Sequence, residues 1–467
     1  MGRVGVFVRE RFGWASHLEP FLEKPVSADL NWTFTLGSLC ALLFVVETLT
    51  GMLLALYYNP SPDHAYESIH YIMEGVAGGR VIRGIHHWGA GAMVILVFAH
   101  MATTFFYGAY KPPREMTWVF GVGLLLLTLA FGFTGYLLPW DQKAFWATVV
   151  GTSVPSDIPL IGEWITRLLR GGEELSGLTL TRFYAVHMLV LPALTLALIG
   201  GHIYLVRLHE VAGHWDPAHP GKAKTSRFFP DHVMKSALAF AFAFAVVLGM
   251  AVFVDPPMEE KALTPDPSYL PRPEWYYMWL FKMLTYFSGR AEALGSLIIP
   301  LGGLLLLLLL PFLNNRPERS PAARPLAMAL GATCLAGLVF LSITGINDSR
   351  PYGQVIVVPD RTLTPDEAKG LRLWVEKDCA YCHNIRGRGG RQEGPDLSNV
   401  ITRGRDKTWL VKLIRDPQAV SGWSRMPKYD LNESELHALA EFVLSLDFRR
   451  HGVRRVSRED AVGGKTP

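Results

Sequence analysis

Charged side chains are scarce in this 467-residue chain: Asp, Glu, Lys and Arg supply 18% of it, while half of the residues are hydrophobic. Soluble domains carry about 25% charged residues, which argues against an ordinary water-exposed enzyme. The apolar content likewise excludes a disordered or collagenous chain. Four cysteines (Cys40, Cys334, Cys379 and Cys382) are too few for a disulfide framework. A net charge of +4 does not suggest nucleic acid as a partner. Acidic residues are sparse before residue 345 and common after it, which divides the chain into a membrane part and a water-soluble part. Residues 1–31 are charged and interrupted, so no cleavable signal peptide is expected.

Seven apolar stretches are long enough to cross about 30 Å of hydrocarbon. They are Trp32–Tyr58, Gly84–Tyr107, Thr117–Leu138, Phe183–Val206, Val233–Val254, Ala293–Leu313 and Leu326–Ile346. Backbone groups must be paired in lipid, so each stretch is read as a helix. Basic residues cluster after the second stretch (Lys111, Arg114), the fourth (Lys222, Lys224, Arg227, Lys235) and the sixth (Arg316, Arg319, Arg324). These loops and the N-terminus are therefore expected on the cytoplasmic side, with everything after residue 346 outside. The expected fold is all-α: a seven-helix transmembrane bundle followed by a small soluble helical domain. Its parts are residues 1–230 (four spans), 231–346 (three spans), 347–362 (a turn-rich linker), 363–449 (the soluble domain) and 450–467 (a frayed polar end). In the soluble part, Thr364-Pro365-Asp366-Glu367 and Asn432-x-x-Glu435 carry helix-start chemistry.

Polar groups at bilayer depth are costly and usually functional. The second span holds His86, His87 and His100; the fourth holds His187 and His202. At about 100° per residue, His86 and His100 differ in facing by about 40°, His187 and His202 by about 60°, and His87 and His100 by about 140°. His87 is thus the poorer partner. Each good pair is separated by about 21–22 Å along its helix. Two such helices can clamp two stacked haems, each histidine giving one nitrogen to an iron. Gly37 and Gly51 in the first span, and Gly121 and Gly135 in the third, repeat the 14-residue spacing. A missing side chain lets a flat macrocycle approach the backbone. Separately, a membrane histidine serves as a hydrogen-bonding group between helices and a glycine serves close packing; at matched spacing on four helices, haem ligation explains both. Arg83 is either a haem-propionate partner or a boundary arginine.

Cys379-Ala380-Tyr381-Cys382-His383 reads as a covalent haem c attachment, with both thiols bonded to the haem and His383 on the iron. A structural zinc site lacks a second ligand pair, and a thioredoxin-like motif does not explain His383. Met426, in Arg425-Met426-Pro427, fits the distal ligand, where a thioether raises the potential.

Over roughly residues 10–345 the chain resembles cytochrome b of the cytochrome bc complexes. The resemblance rests on Arg83-x-x-His86, His100, Thr181-Arg182-Phe183-Tyr184-x-x-His187, His202, the four glycines and Pro273-Glu274-Trp275-Tyr276. The gap between His187 and His202, and three spans after Val233, resemble the chloroplast-type branch, which divides between two chains what is one chain here. Residues 363–449 resemble a class I cytochrome c, with Gly394-Pro395-Asp396-Leu397 as the loop backing the haem. That b branch has a cysteine holding an extra haem where this chain has Thr35, so two haem b and one haem c are expected.

The resemblance implies a quinol:cytochrome c oxidoreductase in a bacterial cytoplasmic membrane, with the c domain on the outer side. His86 and His187 would hold an outer, low-potential haem, and His100 and His202 an inner, high-potential one. Glu274 would accept a proton from quinol, with Pro273, Trp275 and Tyr276 around it. Tyr136 and Phe145 are candidates either for the wall of that site or for core packing. The implied partners are membrane lipid, a separate Rieske iron–sulfur protein, and a cytochrome c or other outer electron acceptor, in a homodimeric complex. A dihaem membrane anchor, wiring quinone to a peripheral enzyme, is the rival; it has no reason to carry Pro-Glu-Trp-Tyr. Glu47, an acid in the middle of the first span, is left unexplained by the haem geometry.

Overall fold

The structure is a computed structural model that describes residues 11, 25–27, 30–211, 225–262, 272–287, 291, 293–348, 355–386, 388–389, 394–398, 400–420, 424, 426–448, 451–457 and 460–461. Seven helices among them are long and apolar enough to cross a membrane: α1 Trp32–Ala55, α2 Gly79–Phe106, α3 Glu115–Tyr136, α4 Gly177–His209, α5 Phe228–Phe253, α6 Leu294–Leu313 and α7 Pro325–Asn347. They are the seven expected spans with ends moved by a few residues, because capping and surface turns extend a helix past its apolar core. The chain divides into two compact units.

In the first unit, α1 packs along α2, and α4 along α3. Their connections separate cleanly to two ends. At one end, Lys235 Nζ donates to Leu30 O (2.6 Å) and the Arg114 guanidinium to His209 O and Glu210 O (2.9 Å each). There too Lys111 Nζ donates to Asn314 Oδ1 (2.7 Å) and Arg316 O (2.8 Å). The start of α1 and the α2–α3, α4–α5 and α6–α7 connections therefore meet, as alternating spans require. Lys111, read from the sequence as a loop charge, is 1% exposed and held by carbonyl oxygens. At the other end, Asp141 caps the short helix Gln142–Ser153 through Ala144 N (2.8 Å) and accepts from Glu259 N (3.0 Å). Lys261 joins Glu67 there at 2.6 Å.

One helix is irregular where the sequence places chemistry. Val186–Val190 in α4 forms a π-turn, followed at once by Leu191-Pro192. Pro192 has no N–H for the carbonyl four residues back, and the chain responds with a wider turn that contains His187.

The second unit holds the soluble domain. Its helices are α8 Pro365–Glu376, α9 Lys407–Arg415 and α10 Glu433–Ser445, and capping boxes start α8 and α10 at the expected Thr364 and Asn432. α8 and α10 cross at Gly370, where a Cβ would sit 2.6 Å from Phe442 Cβ. Leu371, Trp374, Leu436, Leu439 and Phe442 fill the crossing, each at most 2% exposed.

The linker and the polar end do not match expectation. Strand β1 Val355–Pro359 pairs antiparallel with β2 Val453–Ser457, in the register Ile356↔Val456 and Val358↔Arg454. Ile356, Val358 and Val456 enter the same core as the helices. The β-branched run Ile356-Val357-Val358 suits a strand and is buried on both faces, and the neighbouring turn formers hide it from a linear reading. Residues 1–10, 12–24, Lys222, Lys224, 349–354, Arg425 and 462–467 lie outside the described residues.

Candidate functional site

His86 on α2 and His187 on α4 face each other with ring centres 6.4 Å apart, and so do His100 and His202. An iron between two imidazoles, with metal–nitrogen bonds of about 2 Å and each nitrogen about 1 Å from its ring centre, sets the centres about 6 Å apart. Both pairs fit a haem iron. His87, one residue on, joins neither pair; its ring lies edge-on to Trp88 at 4.8 Å.

The four glycines are matched to the four ligands. A Cβ on Gly51 would stand 3.2 Å from His86 Cε1, and one on Gly135 would stand 2.6 Å from His187 Cε1. A Cβ on Gly37 would stand 3.1 Å from His100 Cε1, and one on Gly121 would stand 3.5 Å from His202 Cε1. Gly51, Gly135 and Gly37 thus clear the rings opposite them, while at Gly121 a Cβ would make an ordinary contact. The two histidine pairs and all four glycines line one cavity of about 1440 Å³.

Two residues missed in the sequence orient one tier. Thr50 Oγ1 lies 3.0 Å from His86 Nδ1, and Thr134 Oγ1 lies 3.0 Å from His187 Nδ1. Each hydroxyl donates back to its own helix, Thr50 to Val46 O and Thr134 to Ala130 O (2.8 Å each), and so presents lone pairs to the ring. An Nδ1–H held this way leaves Nε2 for a metal. The repeated Thr-Gly dipeptide, Thr50-Gly51 and Thr134-Gly135, was the available signal. Glu47 adds a carboxyl oxygen 3.1 Å from His86 Nδ1. Arg83 lines the same cavity, 8% exposed, and donates to Pro256 O and Pro257 O at 3.4 Å each.

Pro273 leads into the helical turn Trp275–Tyr277. Glu274, Trp275 and Tyr276 line the cavity; Trp275 lies against Gly91 of α2 and Tyr276 against Gly132 of α3. Glu274 Oε1 is 3.1 Å from Lys143 Nζ, with both side chains largely buried. The same ammonium sits 5.6 Å from the centre of the Tyr136 ring, and Tyr136 donates its hydroxyl to Arg272 O at 3.2 Å. Lys143 is the second missed residue type: 131 positions separate it from its partner. Of the two aromatic wall candidates, Tyr136 lines the cavity, whereas Phe145 packs edge-on to Trp140 in the core beside Leu137 and Phe183.

In the soluble domain neither Cys379 nor Cys382 is in a disulfide among the described residues. His383 Nδ1 lies 3.0 Å from Pro395 O, which can only accept, so the ring donates there and Nε2 is free for iron. Burial pushes this imidazole below its usual pKa, and the bond to Pro395 opposes that only in part; a neutral ring is the ligand form. Gly394 leaves room for the ring, since a Cβ would stand 2.5 Å from His383 Nδ1. Trp374 Nε1 is buried with no hydrogen-bond partner among the described residues, and its ring centre is 6.3 Å from that of His383. This donor set fits a covalent haem. Met426 packs against the same core and accepts from Gln418 Nε2 through its carbonyl at 3.0 Å. His437 is half exposed on α10 and lies 4.0 Å from Glu433.

Comparison with known proteins gives three family matches along the chain: cytochrome b/b6/petB over residues 21–211, cytochrome b (C-terminal)/b6/petD over 265–358, and cytochrome c over 367–447. A cytochrome bc complex cytochrome b subunit of Chlorobaculum thiosulfatiphilum is 36% identical over 358 residues, which is 75% of this chain and 81% of that protein. A menaquinol:cytochrome c reductase cytochrome b subunit of Geobacillus thermodenitrificans is 42% identical over 43% of this chain and 89% of its own length. A solved chain of a hyperthermophilic respiratory Complex III aligns with TM-score 0.64 at 28% identity, over 73% of this chain and 90% of that one. With its paired histidines, matched glycines and Cys-x-x-Cys-His segment, the chain belongs to the cytochrome b family of the cytochrome bc complexes, in a form that carries a cytochrome c domain on the same polypeptide.

Proposed function

We propose that this subunit oxidises quinol at the end of the bundle that carries Glu274, and that electrons leave by two routes, one across the membrane and one towards the outer side. The observation that carries the reading is the Lys143–Glu274 pair, which lines the same cavity as the His86–His187 tier. A mere anchor for a peripheral enzyme needs the tiers but not an acid–base pair walled by Trp275, Tyr276 and Tyr136.

Oxidation of a quinol releases two protons with two electrons, so the site needs a base. Glu274 takes a proton from the quinol hydroxyl. Lys143 holds the carboxylate in place before quinol binds, and the aromatic rings keep bulk water from the reacting hydroxyls. Haem b bound at His86–His187 and at His100–His202, and haem c bound at Cys379, Cys382 and His383 with Met426 as distal ligand, supply one-electron carriage. Thr50, Thr134 and the Pro395 carbonyl fix the imidazoles that face those groups. Arg83, buried on the same cavity, would pair with a propionate of the haem held by His86 and His187.

In this reading the His86–His187 tier is outer and the His100–His202 tier inner, the membrane is the bacterial cytoplasmic membrane, and the c domain works outside. The chain has no Rieske-type pair of Cys-His motifs, so the first acceptor is a separate Rieske protein, within a homodimeric complex that delivers electrons to a cytochrome c or another outer acceptor. The test is an optical redox titration of the purified complex combined with a quinol:cytochrome c assay. Two b-type waves, one c-type wave and turnover with quinol support the reading. Normal haem waves without turnover in the presence of the Rieske subunit would leave only the anchor.

A further inference from the structure

Glu47 is the acid that neither the haem geometry nor the quinol site explains. It sits in the middle of α1, with its side chain 13% exposed. Its Oε2 is 3.1 Å from His86 Nδ1, beside the Thr50 hydroxyl at 3.0 Å. Its Oε1 is buried with no hydrogen-bond partner among the described residues. The bundle makes room for it: Gly89 on α2, one turn from His86, is where a Cβ would collide with Oε1. A mid-membrane carboxyl that is accommodated by a glycine and aimed at one imidazole nitrogen is costly to keep.

The four paired histidines are otherwise treated alike. His187 has the same threonine contact as His86, and every one of the four faces a glycine. Among the described residues, no carboxylate oxygen comes within 4.0 Å of His187, His100 or His202; His86 alone of the four has one. The asymmetry therefore falls on one tier, and within it on one ligand.

We propose that Glu47 lowers the reduction potential of the haem held by His86 and His187 relative to that held by His100 and His202. The inference rests on the haem-ligation reading above. An oxygen against the Nδ1 side of a ligating imidazole makes the ring a stronger donor to its metal, and stronger donation favours ferric over ferrous iron. No change in the ionisation of Glu47 is required: the carboxyl acts as a fixed, electron-rich neighbour. The consequence is a downhill step from the tier beside the quinol site to the far tier. Glu47 acts through His86 and is a positioning residue.

The test is an anaerobic redox titration of the intact complex carrying Glu47→Gln or Glu47→Leu, with haem content and the electron paramagnetic resonance of the ferric b haems recorded alongside. In Glu47→Gln, which keeps the shape and a weaker acceptor, the lower b wave moves up while the upper wave stays. Glu47→Leu moves it at least as far, and the resonance of that haem alone shifts. Unmoved waves, or both waves moving together, overturn the proposal. Loss of the lower-potential haem from both variants overturns it too, in favour of a purely architectural role. Failure of the underlying ligation reading is separately visible, because the unaltered complex would then lack two b waves.

Discussion

His86 and His87 are adjacent at almost the same depth, and only helix phase separates them. His86 faces His187 across 6.4 Å, while His87 turns to Trp88. His86→Ala is expected to remove one of the two extractable haems and His87→Ala to keep both, as counted by pyridine haemochrome; loss from the His87 variant alone would show a different ligand. Glu274 is argued at the same scale. Glu274→Gln keeps shape and hydrogen bonding but removes the base, and general-base residues contribute about 10²–10⁴-fold. Steady-state quinol oxidation is expected to fall by that order with the haem spectra intact, and unchanged turnover at neutral pH would refute the role. The sequence singled out both residues, His86 by periodicity and Glu274 through the resemblance of its tetrapeptide, and both line the cavity. Lys143 was not singled out, because an ion pair across 131 residues leaves no local pattern.

Among the elements, the helices were legible and the strands were not. The start of α8 shows how much a cap carries. Arg361 donates to both oxygens of Glu367 (2.7 and 2.6 Å), and Thr364 N donates to Oε2 at 2.8 Å. Partial burial pushes the Glu367 carboxyl up, but Arg361 and Thr364 together outweigh it and hold the group below its ordinary 4.5. A depressed folded value means that its stabilisation is complete above about pH 4.5 and disappears as pH falls through the lower folded value. Thermal melting of the c-type haem band should therefore lose stability with acid below that point, and Glu367→Gln should flatten the loss. An equal acid dependence in the variant would assign it to other carboxylates. The strand pair β1–β2 escaped the reading because its halves are about a hundred residues apart and each is too short to show a period.

Across the whole molecule, the proposed haem sites lead to a count that can be measured. Two non-covalent sites and one thiol pair predict that acid–acetone extraction removes two haems per chain and leaves one on the polypeptide. Two left behind would mean that an additional covalent haem binds elsewhere. Thr35, where the chloroplast-type branch carries a cysteine, is 1% exposed and donates its hydroxyl to Trp32 O at 2.7 Å, so it offers no thiol and is already committed to the turn that starts α1.

The amino-acid sequence by itself determined the seven spans, the two pairs of histidines at matched spacing, the glycines that repeat that spacing and the Cys-x-x-Cys-His segment. All of these depend on local hydrophobicity, on helical period or on a contiguous motif, and each can be read along one segment. Only the tertiary structure decided that Thr50 and Thr134 hold the rings, that Lys143 meets Glu274, that Phe145 is core, that β1 finds β2, and that Glu47 reaches His86. Those facts arise where side chains from different helices are brought within about 3 Å, the length of a hydrogen bond. Helical period gives the direction in which a side chain points, and only packing gives what it meets.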